Sequence, residues 1–116
     1  MTRAEIIVNN AKGRLINLMA ELVTSICKKD EREEIRVDLD DFKEQPFVEV
    51  EVYEPYTGEY YNEKRKVKAV YAEGHEWYAD IVDGDGDIET MESEELTMDD
   101  IVRICNQLQR TLESLA

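Results

Sequence analysis

Three aspartates at alternate positions, Asp83, Asp85 and Asp87, are followed by Glu94. This places carboxylates at the first, third, fifth and twelfth positions of a calcium-binding loop. Hard cations take clustered oxygens, so these four are the candidate metal ligands. The match fails in two respects. Ile88 stands at the sixth position, where glycine is needed for the sharp turn, and the preceding residues alternate as a strand where a helix should enter. A glycine-rich hairpin turn with solvated acids explains the same residues, and calcium is the only cofactor the sequence suggests.

The aspartates belong to a larger feature. Residues 80–100 hold ten carboxylates (Asp80, Asp83, Asp85, Asp87, Glu89, Glu92, Glu94, Glu95, Asp99 and Asp100) and no lysine or arginine. Residues 1–29, by contrast, hold Arg3, Lys12, Arg14, Lys28 and Lys29 against Glu5 and Glu21, five minus two, for a net charge of +3. The acidity therefore lies downstream and projects a negative field from one end of the chain. Asp80, Asp83, Asp85, Asp87 and Glu89 are candidate contacts for a basic partner.

A second candidate surface is aromatic. Tyr53, Tyr56, Tyr60 and Tyr61 surround Pro55 and Gly58 in a turn-rich stretch, and rigid amphipathic rings of this kind supply binding hot spots. Simple packing is the competing account: Tyr53 and Tyr61 would cap the outward sheet face, and Tyr56 and Tyr60 would pack the loop onto itself. The surrounding acids disfavour base stacking on these rings.

Catalysis has little to work with. His75 is the only histidine, it sits in a turn between Glu73 and Glu76, and no serine or cysteine is placed beside it as a nucleophile. The sequence contains no glycine-rich phosphate loop, and no pair of carboxylates stands apart as a catalytic pair. Cys27 and Cys105 fall in apolar helical patterns and read as buried reduced thiols. A non-enzymatic protein is expected.

These residues must be positioned by α+β elements. Residues 47–53 alternate valine with glutamate, setting Val48, Val50 and Val52 on one strand face and Glu49 and Glu51 on the other. Residues 64–72 repeat the alternation with lysines, placing Val67, Ala69 and Tyr71 inward and Lys66, Lys68 and Val70 outward, so the two strands should pair antiparallel with Glu facing Lys. Residues 35–39 make a shorter strand before them. Gly74 marks a tight reversal into a strand with Trp77, Ala79 and Ile81 inward and Tyr78, Asp80 and Val82 outward; residues 87–91 add a short edge strand.

Two helices flank the strands. Thr2 and Glu5 have capping-box spacing, and Ala4, Ile7, Val8, Ala11, Leu15, Leu18, Met19, Leu22 and Ile26 form a stripe, widened by Ile16, Val23 and Cys27. Such a helix, about 40 Å long, would overhang a strand of about 26 Å, so either it bends near Asn9, Asn10 and Gly13 or a second subunit covers its end. Thr97 caps the last helix, where Ile101, Ile104, Cys105, Leu108, Leu112 and Leu115 face inward and Arg103, Gln107 and Arg110 face water.

The expected fold is a single two-layer α+β domain over residues 1–116. A helix is followed by a four- or five-stranded antiparallel meander and a C-terminal helix, with both helices on one sheet face. With 28 acidic and 14 basic side chains the net charge is −14, which disfavours direct binding to nucleic acid or anionic membranes. No apolar run approaches the roughly 20 residues of a spanning helix and no secretory leader is evident, so a cytoplasmic protein is the expectation. The function expected is an acidic interaction module binding a basic protein surface, with an inhibitor that imitates DNA charge as a special case. A calcium-binding domain and a homodimer formed through the first helix are the alternatives.

Overall fold

Alternating valines and an apolar helix stripe need a shared dry side, and the chain supplies it in two layers. The computed structural model describes residues 3–39 and 45–115, and for residues 4–9 the backbone alone. Helix α1 spans Arg3–Lys29, strands β1 to β5 span Arg36–Asp38, Phe47–Glu54, Glu59–Glu73, Glu76–Val82 and Ile88–Glu92, a 3-10 turn covers Ser93–Glu95, and helix α2 spans Met98–Ser114. The expected cap at Thr2 and Glu5, the stripe positions Ala4, Ile7 and Val8, and residues 40–44 lie outside what is described.

Strand β3 is the centre of the sheet. Its first half pairs with β2, from Glu54↔Glu59 to Phe47↔Lys66, while its second half pairs with β1 through Val37↔Val70 and with β4 through Ala79↔Val70. β5 then lies along β4. All pairings are antiparallel, so β2 to β5 form a meander with β1 laid against β3. Glu49 faces Lys64 as the alternation requires. Gly74 opens the two-residue loop between β3 and β4 with φ +64°, a conformation glycine reaches without the penalty a Cβ carries.

Between Val67 and Ala69 the register against β4 slips by one residue, Val67 opposing Ile81 and Ala69 opposing Asp80. This β-bulge reverses the faces beyond it. Val67 points inward as expected, but Val70 is also in the core, in a row with Val37, Ala79 and Met91, while Tyr71 lies on the outer face beside Arg36, Tyr78 and Glu92. The expectation of Val70 outward and Tyr71 inward is therefore corrected.

Both helices close over the valine face. Met19, Val23 and Ile26 of α1 and Ile101, Ile104 and Leu108 of α2 are fully buried against Val48, Val67 and Ile81. Each such side chain contributes about 1.5–3 kcal/mol by leaving water. α1 runs unbroken through Asn9, Asn10 and Gly13. Among the described side chains of α1, full burial begins at Met19, Leu15 and Ile16 pack partly buried against the core, and Arg14, Asn17 and Leu18 are exposed. The radius of gyration, 15.3 Å, exceeds the roughly 13 Å of a compact chain of this length.

The start of α2 is tied to β2 by one carboxylate. Asp100, 2 % exposed, completes a capping box with Thr97, each accepting from the other's backbone N–H at 3.2 Å. The same carboxylate accepts from the N–H of Glu49 at 3.1 Å and pairs with Arg103. Arg103 in turn donates to the Phe47 carbonyl at 3.0 Å, with its guanidinium 4.2 Å from the Phe47 ring centre. Arg103 thus clamps strand to helix, and Gln107 is buried; neither faces water as the helical wheel suggests.

Two outcomes are expected. Asp100→Ala, which strands Arg103 and two backbone donors, should cost about 2–4 kcal/mol in urea unfolding. Leu22→Asp, at a position 6 % exposed, should abolish the cooperative transition, whereas Leu18→Asp, at 43 %, should shift stability by no more than about 1 kcal/mol.

Candidate functional site: an acidic end and an aromatic ribbon

The β4–β5 hairpin carries most of the acidic run, and its turn is built by one of the acids. Asp83 Oδ1 accepts from the backbone N–H groups of Asp85 at 2.9 Å and Asp87 at 3.0 Å, while Asp83 N–H donates to the Asp87 carbonyl. An aspartate that caps its own turn directs its carboxylate inward. Asp85 and Asp87 remain exposed, and Glu94 lies on the following 3-10 turn. Among the described residues no group of three or more histidine, cysteine or carboxylate side chains is gathered closely enough to hold a metal ion.

Three of the acids are met by arginines from outside the run. Asp80 lies 3.5 Å from Arg36 and accepts from Thr90 Oγ1 at 2.9 Å. Glu89 pairs with Arg65 at 3.0 Å, and Arg65 also holds Glu63 at 3.1 Å. Asp100 is spent on the helix clamp. Among the described residues Asp85, Asp87, Glu92, Glu94, Glu95 and Asp99 form no ion pair and are exposed. Of the five acidic contacts expected, Asp85 and Asp87 are open, Asp80 and Glu89 are already paired, and Asp83 is turned to its own backbone.

The tyrosines stand on a ribbon made by β2 and the first half of β3. Tyr53 and Tyr60 are cross-strand partners with ring centres 5.1 Å apart, sharing a face with Glu51. Tyr61 lies on the opposite face beside Val52. The tip is fixed by Gly58 N–H donating to the Glu54 carbonyl at 2.8 Å, and there Tyr56 is 96 % exposed. Tyr60 does pack within the ribbon, but Tyr56 touches little, and the four rings do not make one continuous surface. Arg65 joins ribbon to acidic end, since it bonds Glu89, and it lies five residues, about 17 Å, from Tyr60.

The outer sheet face carries a stacked column. Arg36 lies 5.1 Å over the Tyr71 ring, whose centre is 5.7 Å from that of Tyr78. Tyr78 donates its hydroxyl proton to Glu76 at 2.8 Å. That hydrogen bond above all, with burial and the negative charges of Glu76, Glu92 and Glu73, pushes the Tyr78 phenol up to about 12. Burial alone pushes the Cys105 thiol up to about 11, a poor nucleophile at neutral pH.

One concavity could not be read from the sequence. A cavity of about 210 Å³ is lined by Ile16 and Asn17 of α1, His75 and Glu76 at the β3–β4 reversal, Trp77, and Glu92, Ser93 and Glu94 at the end of β5. These positions come from three separate stretches, and no spacing rule joins them. The one available signal was the glutamate density around His75 and in the acidic run.

Comparison of the chain with known protein families, with curated proteins and with solved structures finds no match in any of the three. Among the described residues no helix is long and apolar enough to cross a membrane.

The Tyr78 shift has a measurable sign. An unfolded tyrosine releases its proton near 10 and the folded one near 12. The proton is therefore held more tightly by the folded state, and the contribution to stability is full below pH 10 and lost as pH rises through 12. Ultraviolet titration of the native protein should show a late phenolate step that Tyr78→Phe removes.

Proposed function

We propose that this chain is a small acidic interaction module without catalytic activity, engaging a basic protein surface through its acidic end and tyrosine ribbon. The observation that carries this reading is the cluster of exposed carboxylates at 85, 87, 92, 94, 95 and 99, which form no ion pair among the described residues. Like charges at this density repel one another, and a cationic surface relieves that repulsion while steering encounter. Tyr56, Tyr53 and Tyr60 supply exposed rings within reach of the same partner. Mimicry of DNA charge is the special case in which the partner is a nucleic-acid-binding protein.

A homodimer through α1 is the second reading, favoured by the exposed Leu18 of that helix. A calcium site is less supported, because Asp83 already spends an oxygen on its own turn.

Affinity capture from the native host tests the main reading. Wild type should retain a basic protein, retention should fall about tenfold or more between low and high salt, and the Asp85→Asn, Asp87→Asn, Glu94→Gln, Glu95→Gln variant should lose it. Retention indifferent to both salt and neutralisation would overturn the reading.

A further inference from the structure

We propose that the outer edge of β5 is the docking edge of this protein, where the basic partner adds an extended segment as a further antiparallel strand. This inference rests on the interaction-module reading and names the form in which the partner binds. The sheet has strand edges of two kinds. On the side of β1 and β2 the outward backbone groups are taken by side chains of the flanking segments. The Arg36 carbonyl of β1 accepts from Arg32 at 3.0 Å and from the Cys27 thiol at 3.5 Å. In β2 the Phe47 carbonyl accepts from Arg103 at 3.0 Å and the Glu49 N–H donates to Asp100 at 3.1 Å. These groups stand where a further strand would bond.

On the opposite side β5 pairs with β4 alone, and among the described residues nothing else bonds the backbone of residues 88–92. Bonded and non-bonded pairs alternate along an antiparallel ladder, and Asp83 N–H donates to the Asp87 carbonyl. Glu89 and Met91 therefore turn their backbone groups to β4, whereas Ile88, Thr90 and Glu92 turn theirs outward. Every residue of β5 except Met91 is exposed. The strand holds no lysine, proline or bulge of the kind that blunts an edge, so it is a template for pairing.

Charge selects the occupant. Asp87 and Glu92 stand at the two ends of the edge, exposed and without an ion pair among the described residues. A second copy pairing about Thr90 would bring Glu89 and Glu92 of both chains together, and like charges guard the edge against it. A cationic segment meets no such repulsion. In antiparallel register a six-residue segment sets its first residue opposite Glu92 and its last opposite Asp87, with the four between beside Met91, Thr90, Glu89 and Ile88. The partner's segment is thus a β-branched stretch with a lysine or arginine at each end. The open side of β3 before Val67 presents Lys64 and Lys66, which repel the same segment.

A blocked Lys-Val-Thr-Thr-Val-Lys peptide is the probe. Titrated into the full chain and followed by amide NMR, it should bind saturably with a midpoint of about 1 mM. At about 10 mM it should slow hydrogen exchange of the Ile88, Thr90 and Glu92 amides about tenfold. Methylating the backbone nitrogens of its third and fifth residues leaves the charge intact but removes donors that face β5, and should weaken binding about tenfold or more. Replacing both lysines by glutamine should do the same. Thr90→Pro, which removes an N–H the sheet does not use, should keep the fold and lose the peptide.

No saturable change by about 10 mM, or equal binding of the methylated peptide, would overturn strand addition, the second outcome leaving charge attraction alone. Protection of the same amides in the chain alone, rising with its concentration and solution mass, would give the edge to a second copy and overturn the basic segment. Undiminished capture of a basic partner by Thr90→Pro would also overturn the edge while the wider reading stands. If wild type captures no basic partner, the wider reading falls whatever the peptides do.

Discussion

Fifteen residues of β3 have to serve two surroundings at once. Their first half belongs to a ribbon exposed on both faces towards its tip, with charged or aromatic residues at most positions. Their second half runs through the middle of the sheet, with β1 and β4 paired to it and α1 and α2 roofing the valine side. A strand of strict period two could not put both Val67 and Val70 into the core, because three residues apart they would face opposite ways. The bulge at Lys68 removes that conflict by adding a residue opposite β4. The row of Val37, Val70, Ala79 and Met91 depends on it, and so does the outer column of Arg36, Tyr71 and Tyr78. Without the bulge, Tyr71 and Val70 would exchange places and the core would contain a phenol.

Carboxylates in this protein do three different kinds of work. Asp100 and Asp83 satisfy backbone donors, one holding a helix start against a strand and the other shaping a turn. Asp80 and Glu89 pair with arginines that lie far off in sequence. Others of the acidic run, at 85, 87, 92, 94, 95 and 99, are exposed and form no ion pair among the described residues. Exposed pairs such as Glu89 with Arg65 contribute only about 0–1 kcal/mol, so they do little for stability; their larger effect is to cancel charge at particular points of the surface. The negative field is therefore concentrated towards the hairpin tip and the 3-10 turn, the end where the Trp77 cavity opens.

That cavity joins the two physical themes of the molecule. It is lined by Ile16 and Trp77, which pack against the core, and by Ser93 and Glu94 of the 3-10 turn. The tyrosine ribbon extends to the side, anchored at its base through Arg65, and broadens the surface without enclosing anything.

By itself the sequence determined the elements and most of their faces. The valine and glutamate alternation of β2, the apolar stripe of α1 from Met19 to Cys27, the Thr97 cap and the Gly74 reversal are local patterns, and each acts within a few residues. The two-layer arrangement follows from them because one charged and one apolar sheet face leave the helices a single side to cover. Only the tertiary structure decided what depends on partners distant along the chain. It placed the bulge at Lys68, turned Arg103 from a solvent-facing position into the clamp on Phe47, matched Arg36 and Arg65 to particular acids, and brought Ile16, Trp77 and Glu94 around one hollow. The reason is physical: periodicity records which way a side chain points from its own element, whereas charge pairing and cavity shape are set by which elements meet.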